Sequence, residues 1–206
     1  MHNIAILVLA AGGSTRMGSP KQLLEIEGKS LIRRTCELAL DLNPSIIAAV
    51  LGNAFFAISQ EIKGLPIMLV ENANWEQGMA SSLRTGIKAL SKSTANFDAV
   101  LMLLCDQPLV NQDYLDRLVR TYRSEALPAA ASAYNNILGV PVIFDWEVLR
   151  QFASEDGDHG ARFLLKDLVK KNQVTSLDFP EGAIDLDTPE AYQAFISQQG
   201  ENKSNR

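Results

Sequence analysis

The chain predicts a three-layer α/β/α fold of Rossmann-like type with a mainly parallel sheet, and three observations carry that prediction. Short apolar runs of strand composition recur at Ile4–Leu9, Ile46–Leu51, Ile67–Val70, Ala99–Leu104, Ala129–Ala133 and Val140–Phe144. Stretches with helical periodicity lie between most of them, and strands alternating with helices build a sheet covered on both faces. A glycine-rich loop follows the first run directly, where open α/β sheets bind their ligands.

Taken in order, Ile4–Leu9 is an unbroken apolar run that leads into the loop Leu9 to Lys21. Helices are expected at Ser30–Leu42, Ala54–Lys63, Met79–Ser91, Gln112–Arg123, Trp146–Phe152, Ala161–Lys171 and Pro189–Gln198. The fourth shows the reasoning: Leu115, Leu118, Val119 and Tyr122 fall at i, i+3, i+4 and i+7, behind an Asn111 suited to N-capping. Small and polar residues mark loops at Ser93–Asn96, Tyr134–Leu138 and Glu155–Gly160. Residues 1–198 read as one domain, with 199–206 as a disordered polar tail.

A hydrophobic fraction of 47% with 21% charged residues suits a globular protein, and no apolar run approaches the ~20 residues of a membrane-spanning helix. Met1-His2-Asn3 lacks the basic start of a signal peptide, which places the chain in the cytoplasm without a membrane partner. Cys36 and Cys105 have no metal-ligand spacing and read as buried thiols. The net charge of −5 offers no general attraction to nucleic acid, so an anionic ligand needs a local cluster of cations and backbone donors. Residues 1–24 supply one, carrying Arg16 and Lys21 and no acidic side chain.

In Leu9-Ala10-Ala11-Gly12-Gly13-Ser14-Thr15-Arg16-Met17-Gly18-Ser19-Pro20-Lys21, small residues at 10–14 let backbone amides approach an anion closely. The loop is neither a Walker A element, since Ser19-Pro20-Lys21 replaces the Lys-Ser/Thr pair, nor a Gly-x-Gly-x-x-Gly fingerprint. On its own it can also be a glycine-rich turn with solvated cations. Two acidic elements stand downstream. Asp106 leaves the end of a buried strand as Asp106-Gln107-Pro108, offering a hard oxygen to Mg²⁺ or, equally, a helix cap or turn. In Asp185-Leu186-Asp187-Thr188-Pro189-Glu190 alternation puts Asp185 and Asp187 on one face, while Asp187 or Thr188 before Pro189 also makes a good helix start.

These residues resemble the MobA-like nucleotidyltransferases, and among them the molybdenum cofactor cytidylyltransferases. The signature Leu-Ala-Ala-Gly-x-Ser-x-Arg-Met-Gly-x-x-Lys is matched at every specified position, and further matches follow in order at 72–83, 105–108, 139–141, 157–162 and 185–190. The resemblance implies a nucleotide-diphospho-sugar-transferase-like fold and an Mg²⁺-dependent enzyme that transfers CMP from CTP to a molybdopterin-type phosphate, releasing pyrophosphate. It implies nucleotide contacts from Leu9, Ala10, Ala11, Gly12, Gly13, Ser14, Gly78, Ser82 and Asp106, with Arg16 and Lys21 on the triphosphate and Asp106 and Asp187 on the metal. Trp75, within the matched element, reads as packing. Gln107, Gly139, Pro141, Gly157 and Arg162 would border the acceptor, and His159, at a variable position, faces solvent.

Ala11 points to CTP, because the guanylyltransferases of the family read Leu-Ala-Gly-Gly. A molybdenum hydroxylase or its accessory chaperone is the partner this resemblance implies. The alternatives are GTP, a sugar or polyol phosphate acceptor, or a non-catalytic protein that delivers cofactor.

Overall fold

The computed structural model describes residues 3–14, 17–154 and 160–204. Nine strands lie among them: β1 (Ile4–Ala10), β2 (Glu25–Ile26), β3 (Lys29–Ser30), β4 (Ile46–Leu51), β5 (Met68–Glu71), β6 (Ala99–Leu104), β7 (Ala129–Tyr134), β8 (Ile137–Asp145) and β9 (Thr175–Asp178). The helices are α1 (Leu31–Asp41), α2 (Phe55–Glu61), α3 (Met79–Ser91), α4 (Gln112–Ser124), α5 (Trp146–Ser154), α6 (Ala161–Lys170) and α7 (Pro189–Ser204). Seven strands form one sheet in the order β5-β4-β1-β6-β8-β7-β9, in which β8 alone runs against its neighbours β6 and β7. The short β2 and β3 pair as a separate antiparallel ribbon.

β1 explains why the sheet is covered on both faces. Its seven residues are all buried, and their alternation splits them between two cores. Ile4, Ile6, Val8 and Ala10 pack with Ile32 and Cys36 of α1, Ile58 of α2, Leu115 and Leu118 of α4 and Phe195 of α7. Ala5, Leu7 and Leu9 pack instead with Leu83, Ile87 and Leu90 of α3, Leu149 of α5 and Leu164, Leu165 and Leu168 of α6. The three-layer α/β/α architecture follows from that division.

Side-chain caps set the starts of α1 and α4. Asn111 accepts from the Tyr114 N–H at 2.9 Å to open α4, and Ser30 accepts from the Arg33 N–H at 3.4 Å to open α1. Each such cap is worth about 1 kcal/mol. The segment 134–138 is not a loop, as expected, but a hairpin. β7 ends at Tyr134, Asn135 and Asn136 turn with φ of 48° and 58°, and β8 begins at Ile137. Asparagine tolerates the left-handed conformation, and two such residues in succession match the twist of a tight hairpin. Helix α7 continues to Ser204, so the segment expected as a polar tail is helical over 199–204. Gly157 and His159, with most of the expected loop at Glu155–Gly160, lie outside the described residues, as does Arg16. No described helix is long and apolar enough to cross a membrane.

Candidate active site

β1 and β6 are parallel neighbours whose carboxyl ends adjoin, and β4 lies on the other side of β1. The chain leaves β1 through the glycine-rich loop and leaves β6 through Cys105 and Asp106, so the two elements with chemical promise meet at one edge of the sheet. A cavity of about 320 Å³ lies there, lined by Leu9 through Ser14, Lys21, Gln22, Trp75, Gly78, Met79, Ser82, Leu104 and Asp106, among others.

Buried side-chain amides hold its walls. Gln22, 1% exposed, donates from Nε2 to the carbonyls of Ala10 (2.8 Å) and Gly12 (3.0 Å), and its Oε1 accepts from the Ser14 hydroxyl at 3.3 Å. Ser14 Oγ also accepts from the Lys21 N–H at 3.0 Å, which closes the loop on itself. Because Gln22 takes up two loop carbonyls, the backbone is held open around the cavity. A Cβ on Gly12 would meet only open space, whereas one on Gly13 would come within 2.5 Å of the Trp75 ring. A Cβ on Gly52 would lie 2.6 Å from the Ala11 carbonyl oxygen and 2.5 Å from Trp75 Cβ. Trp75 therefore packs across the loop, as expected, and also lines the cavity.

Asn72 organises the opposite wall in the same way. It is 2% exposed, donates to Ser82 Oγ at 3.1 Å, and accepts from the Ser81 hydroxyl (3.2 Å) and the Asn74 N–H (3.0 Å). Helix α3 starts at Gly78 without a side-chain cap. Ser81 and Ser82 thus serve Asn72 rather than the helix start, and Ser82 stands on the cavity wall with its oxygen accepting.

The charged centre is Lys21. Its Nζ lies 2.5 Å from Asp106 Oδ2 and 2.7 Å from Asp187 Oδ1, so one ammonium joins carboxylates 81 positions apart in sequence (187 less 106). Burial opposes its charge, but Asp106 and Asp187 outweigh that and hold the Lys21 pKa above its ordinary value. The other Asp106 oxygen, Oδ1, is buried and has no hydrogen-bond partner among the described residues. An orphaned carboxylate oxygen is costly unless a cation or donor reaches it. Two hard carboxylates, one with a spare buried oxygen, fit a divalent metal that takes its remaining ligands from phosphates and water. Among the described residues no three His, Cys, Asp or Glu side chains gather as a metal site.

In the segment 184–188 the helix start falls to Thr188. Leu186 is fully buried, and its N–H donates to the Asp106 carbonyl at 3.0 Å. That anchor turns Asp185 and Asp187 away from the core. The Thr188 hydroxyl accepts from the Ala191 N–H at 3.2 Å and caps α7, which leaves Asp187 for Lys21. Asn111 likewise caps α4, so Asp106 is not the cap of that helix.

A second cavity, of about 480 Å³, shares Leu9, Met79 and Leu104 with the first. Its polar groups include Gln107, Tyr134, Arg162 and Asp185, and its walls include Met102, Val140, Val142 and Leu165. Gly139 and Gly160 line it as well, and Pro141 does not. Pro141 follows a cis peptide bond and its carbonyl accepts from the Ser132 hydroxyl at 2.6 Å, on a chain that continues to the Tyr114 hydroxyl. Gln107 has a bracing role: Nε2 donates to the carbonyls of Val140 (3.1 Å) and Gly182 (3.0 Å), fixing β8 against the turn before Asp185. Partial burial, then Asp106 and Asp187, push the Asp185 carboxyl up to about 6. Helix α6 starts at Gly160 without a side-chain cap, and a Cβ there would lie 3.9 Å from the Ala80 nitrogen. The starts of the two helices therefore lie side by side, with Arg162 in the first turn of the second.

Among the nucleotide contacts and metal ligands expected from the sequence, every described residue comes to the first cavity or to Lys21 at its edge. Gln22 and Tyr134 were not anticipated. Gln22 carried one signal, a polar residue directly behind the matched loop. Tyr134 lay in a stretch that reads as irregular.

A family model described as MobA-like NTP transferase domain matches residues 6–174. The chain is 31% identical over 169 residues to nicotine blue oxidoreductase of Paenarthrobacter nicotinovorans, covering 78% of this chain and 80% of that one. It is 28% identical over 204 residues to the purine catabolism protein PucB of Bacillus subtilis, covering 89% and 91%. It also matches bifunctional GlmU proteins, spanning about a quarter of their length; the one from Thermobifida fusca is 31% identical over 125 residues, 59% of this chain. Among solved structures, Rv0371c of Mycobacterium tuberculosis superposes with a TM-score of 0.74 at 26% identity, covering 95% of this chain and 98% of that one. A CMP:2-keto-3-deoxy-manno-octonic acid synthetase complexed with CTP shares the fold, with a TM-score of 0.74 at 16% identity and coverage of 97% and 99%.

Proposed function

The chain belongs to the MobA-like NTP transferase family and is a nucleotidyltransferase, and we propose that it transfers CMP from CTP to a molybdopterin-type phosphate. The observation that carries this reading is the pairing of two cavities across the shared wall of Leu9, Met79 and Leu104, with Lys21, Asp106 and Asp187 beside the first. Two substrates held side by side need no covalent enzyme intermediate.

In this reading the nucleotide lies in the loop cavity, with Ala11 and Gly12 against it and Lys21 and Arg16 on its phosphates. An acceptor phosphate oxygen attacks the α-phosphorus in line; a P–O bond forms there, and the bond to pyrophosphate breaks, the departing oxygen keeping the electron pair. Lys21 neutralises charge that grows on pyrophosphate, and Asp106 and Asp187 supply oxygen ligands for Mg²⁺. A divalent ion held by Asp106 and Asp187 would supply Lewis-acid charge neutralisation to the reacting phosphates. An ionised phosphate nucleophile needs no general base at neutral pH.

The second cavity favours a bulky heterocyclic phosphate over a sugar or polyol phosphate. Arg162 and the paired starts of α3 and α6 offer positive potential for a phosphate, and Asp185 and Tyr134 offer partners for ring N–H or hydroxyl groups. The walls of Met102, Val140, Val142 and Leu165 suit an apolar ring face and leave few partners for a polyol.

Pyrophosphate release is the test, measured with CTP, GTP, ATP and UTP against molybdopterin and a panel of sugar and polyol phosphates. CTP-specific release with molybdopterin is expected. Release with GTP, or with a polyol phosphate alone, would replace the proposed substrates, and tight CTP binding without release under any condition would leave a nucleotide-binding delivery protein. The relative named an oxidoreductase supports a second reading, in which this cavity holds an electron-carrying nucleotide. Oxidation of a reduced nicotinamide nucleotide by candidate heterocycles, unaltered by Asp106→Ala, would decide for it.

A further inference from the structure

Three features of the charged centre combine. The Lys21 ammonium stands at ion-pair distance from Asp106 (2.5 Å) and Asp187 (2.7 Å), where it bridges the two carboxylates. No third ligating side chain joins them among the described residues, so a bare metal ion would find two protein ligands where Mg²⁺ takes six oxygens. Asp106 Oδ1 is buried and has no partner among those residues, so a place for a cation is prepared but not filled by the lysine.

We propose that the Lys21 ammonium is a resident counter-ion bridging Asp106 and Asp187 in the nucleotide-free protein, and that a divalent cation reaches these carboxylates only together with nucleotide phosphates, which draw Lys21 away. The proposal rests on the assignment of the two carboxylates as the metal's protein ligands. Its new content is the exchange of cations and the order of binding that follows.

Electrostatics requires such an exchange. An ammonium and a divalent ion on the same two carboxylates would stand within a few ångströms of one another in a partly buried site, where their repulsion is screened weakly. The lysine side chain is 17% exposed and the Asp106 side chain 14%, against 35% for Asp187, so bulk water screens least at the Lys21–Asp106 contact. Nor can Lys21 simply be discharged, because losing its charge would leave Asp106 and Asp187 facing one another without the ammonium that bridges them. It must move to another anion. The triphosphate is one within reach, since Lys21 lines the same cavity as Gly12, Gly13 and Ser14. Its main chain need not follow: the N–H is held by Ser14 Oγ, and the four-carbon stem swings alone. Metal and nucleotide thereby load as one complex, and free metal does not occupy the site beforehand.

The test is Mn²⁺ binding to the full chain without nucleotide or acceptor, with free ion read by electron paramagnetic resonance. Removing one unit charge at ion-pair distance should tighten binding at least about tenfold in Lys21→Met, while Lys21→Arg, which keeps the charge, stays as weak as the unaltered protein. The Asp106→Asn change in the Lys21→Met background should abolish the gain. A Lys21→Met protein that binds Mn²⁺ no more tightly than the unaltered one overturns the proposal.

The unaltered protein supplies a second readout that survives any folding failure of the variants. Nitrogen-15 NMR of the lysine ammonium groups should show the Lys21 signal unmoved by Mg²⁺ alone and shifted by Mg²⁺ with a non-hydrolysable CTP or GTP analogue. A shift with Mg²⁺ alone overturns the proposal. Neither measurement involves turnover, so failure of the CMP-transfer reading leaves them intact. A gain that survives Asp106→Asn places the metal elsewhere and removes both the ligand assignment and the exchange built on it.

Discussion

The two halves of the site are built by different means. The half proposed for the nucleotide stands on the carboxyl ends of parallel strands and is laced by buried amides, with Gln22 and Asn72 each making three hydrogen bonds to loop backbone or serines. The half proposed for the acceptor leans on β8, which alone in the seven-stranded sheet runs against its neighbours, and sets a few polar groups in apolar walls. A triphosphate presents the same charges whatever its acceptor, so a rigid, hydrogen-bonded cradle suits it. An acceptor is distinguished by shape and by a few donors, which a roomy apolar cavity with Arg162, Tyr134 and Asp185 can read.

The sharpest way to break that contrast is Asp106→Ala. It removes the proposed metal ligand and one of the two carboxylates paired with Lys21, and should lower kcat by about 10³-fold, roughly 4 kcal/mol of transition-state stabilisation. Pyrophosphate release measured beside nucleotide binding checks it; a loss in binding alone would make Asp106 part of the cradle and not of the transfer.

Gln22→Ala comes next. It leaves the buried carbonyls of Ala10 and Gly12 without their donor and should cost about 2–3 kcal/mol in denaturant unfolding, with weakened nucleotide affinity. Unchanged stability would mean that the loop is not held by this amide.

Arg162→Ala tests the other half. It should raise the KM for a phosphorylated acceptor about tenfold, near 1.4 kcal/mol, and leave nucleotide affinity within twofold. Equal damage to both substrates would erase the division between the cavities.

The smallest effect is expected from Asp185→Asn. The folded-state pKa of Asp185 is raised to about 6, above its unfolded value, so the folded protein holds the proton more tightly and ionisation destabilises it as pH rises through that range. At pH 8 the variant should be more stable by less than about 1 kcal/mol, because exposure screens the charge. The advantage should shrink as pH falls through about 6 and vanish below about 4, where both proteins carry a neutral group. Thermal unfolding across that range is the measurement, and an advantage that grows on acidification would reverse the assignment.

Much of the fold was legible because its signals are local. The runs at Ile46–Leu51 and Ala99–Leu104 became strands with those boundaries, and Met79–Ser91 became a helix with those ends. The expected Ala54–Lys63 helix shortened to Phe55–Glu61, and Ala54, its N-cap, takes a φ of 57°. Strand β9 escaped the reading. Thr175-Ser176-Leu177-Asp178 is short and half polar, and it becomes a strand because β7 offers an open edge to pair with. Long-range pairing of this kind leaves no periodic trace in four residues.

The sequence by itself determined the Rossmann-like layering and the phosphate-suited loop, because apolar periodicity, glycine spacing and caps act over a few residues. It also determined that Asp106 follows a buried strand. Only the tertiary structure decided which partners those groups take. Thr188 caps α7 and Asp187 is released to Lys21; Asp185 faces the second cavity; Gln22 reaches back to the first loop. The reason is physical: hydrogen bonds and ion pairs extend only a few ångströms, and the ammonium of Lys21 meets Asp187 because the sheet brings together chain segments 166 residues apart.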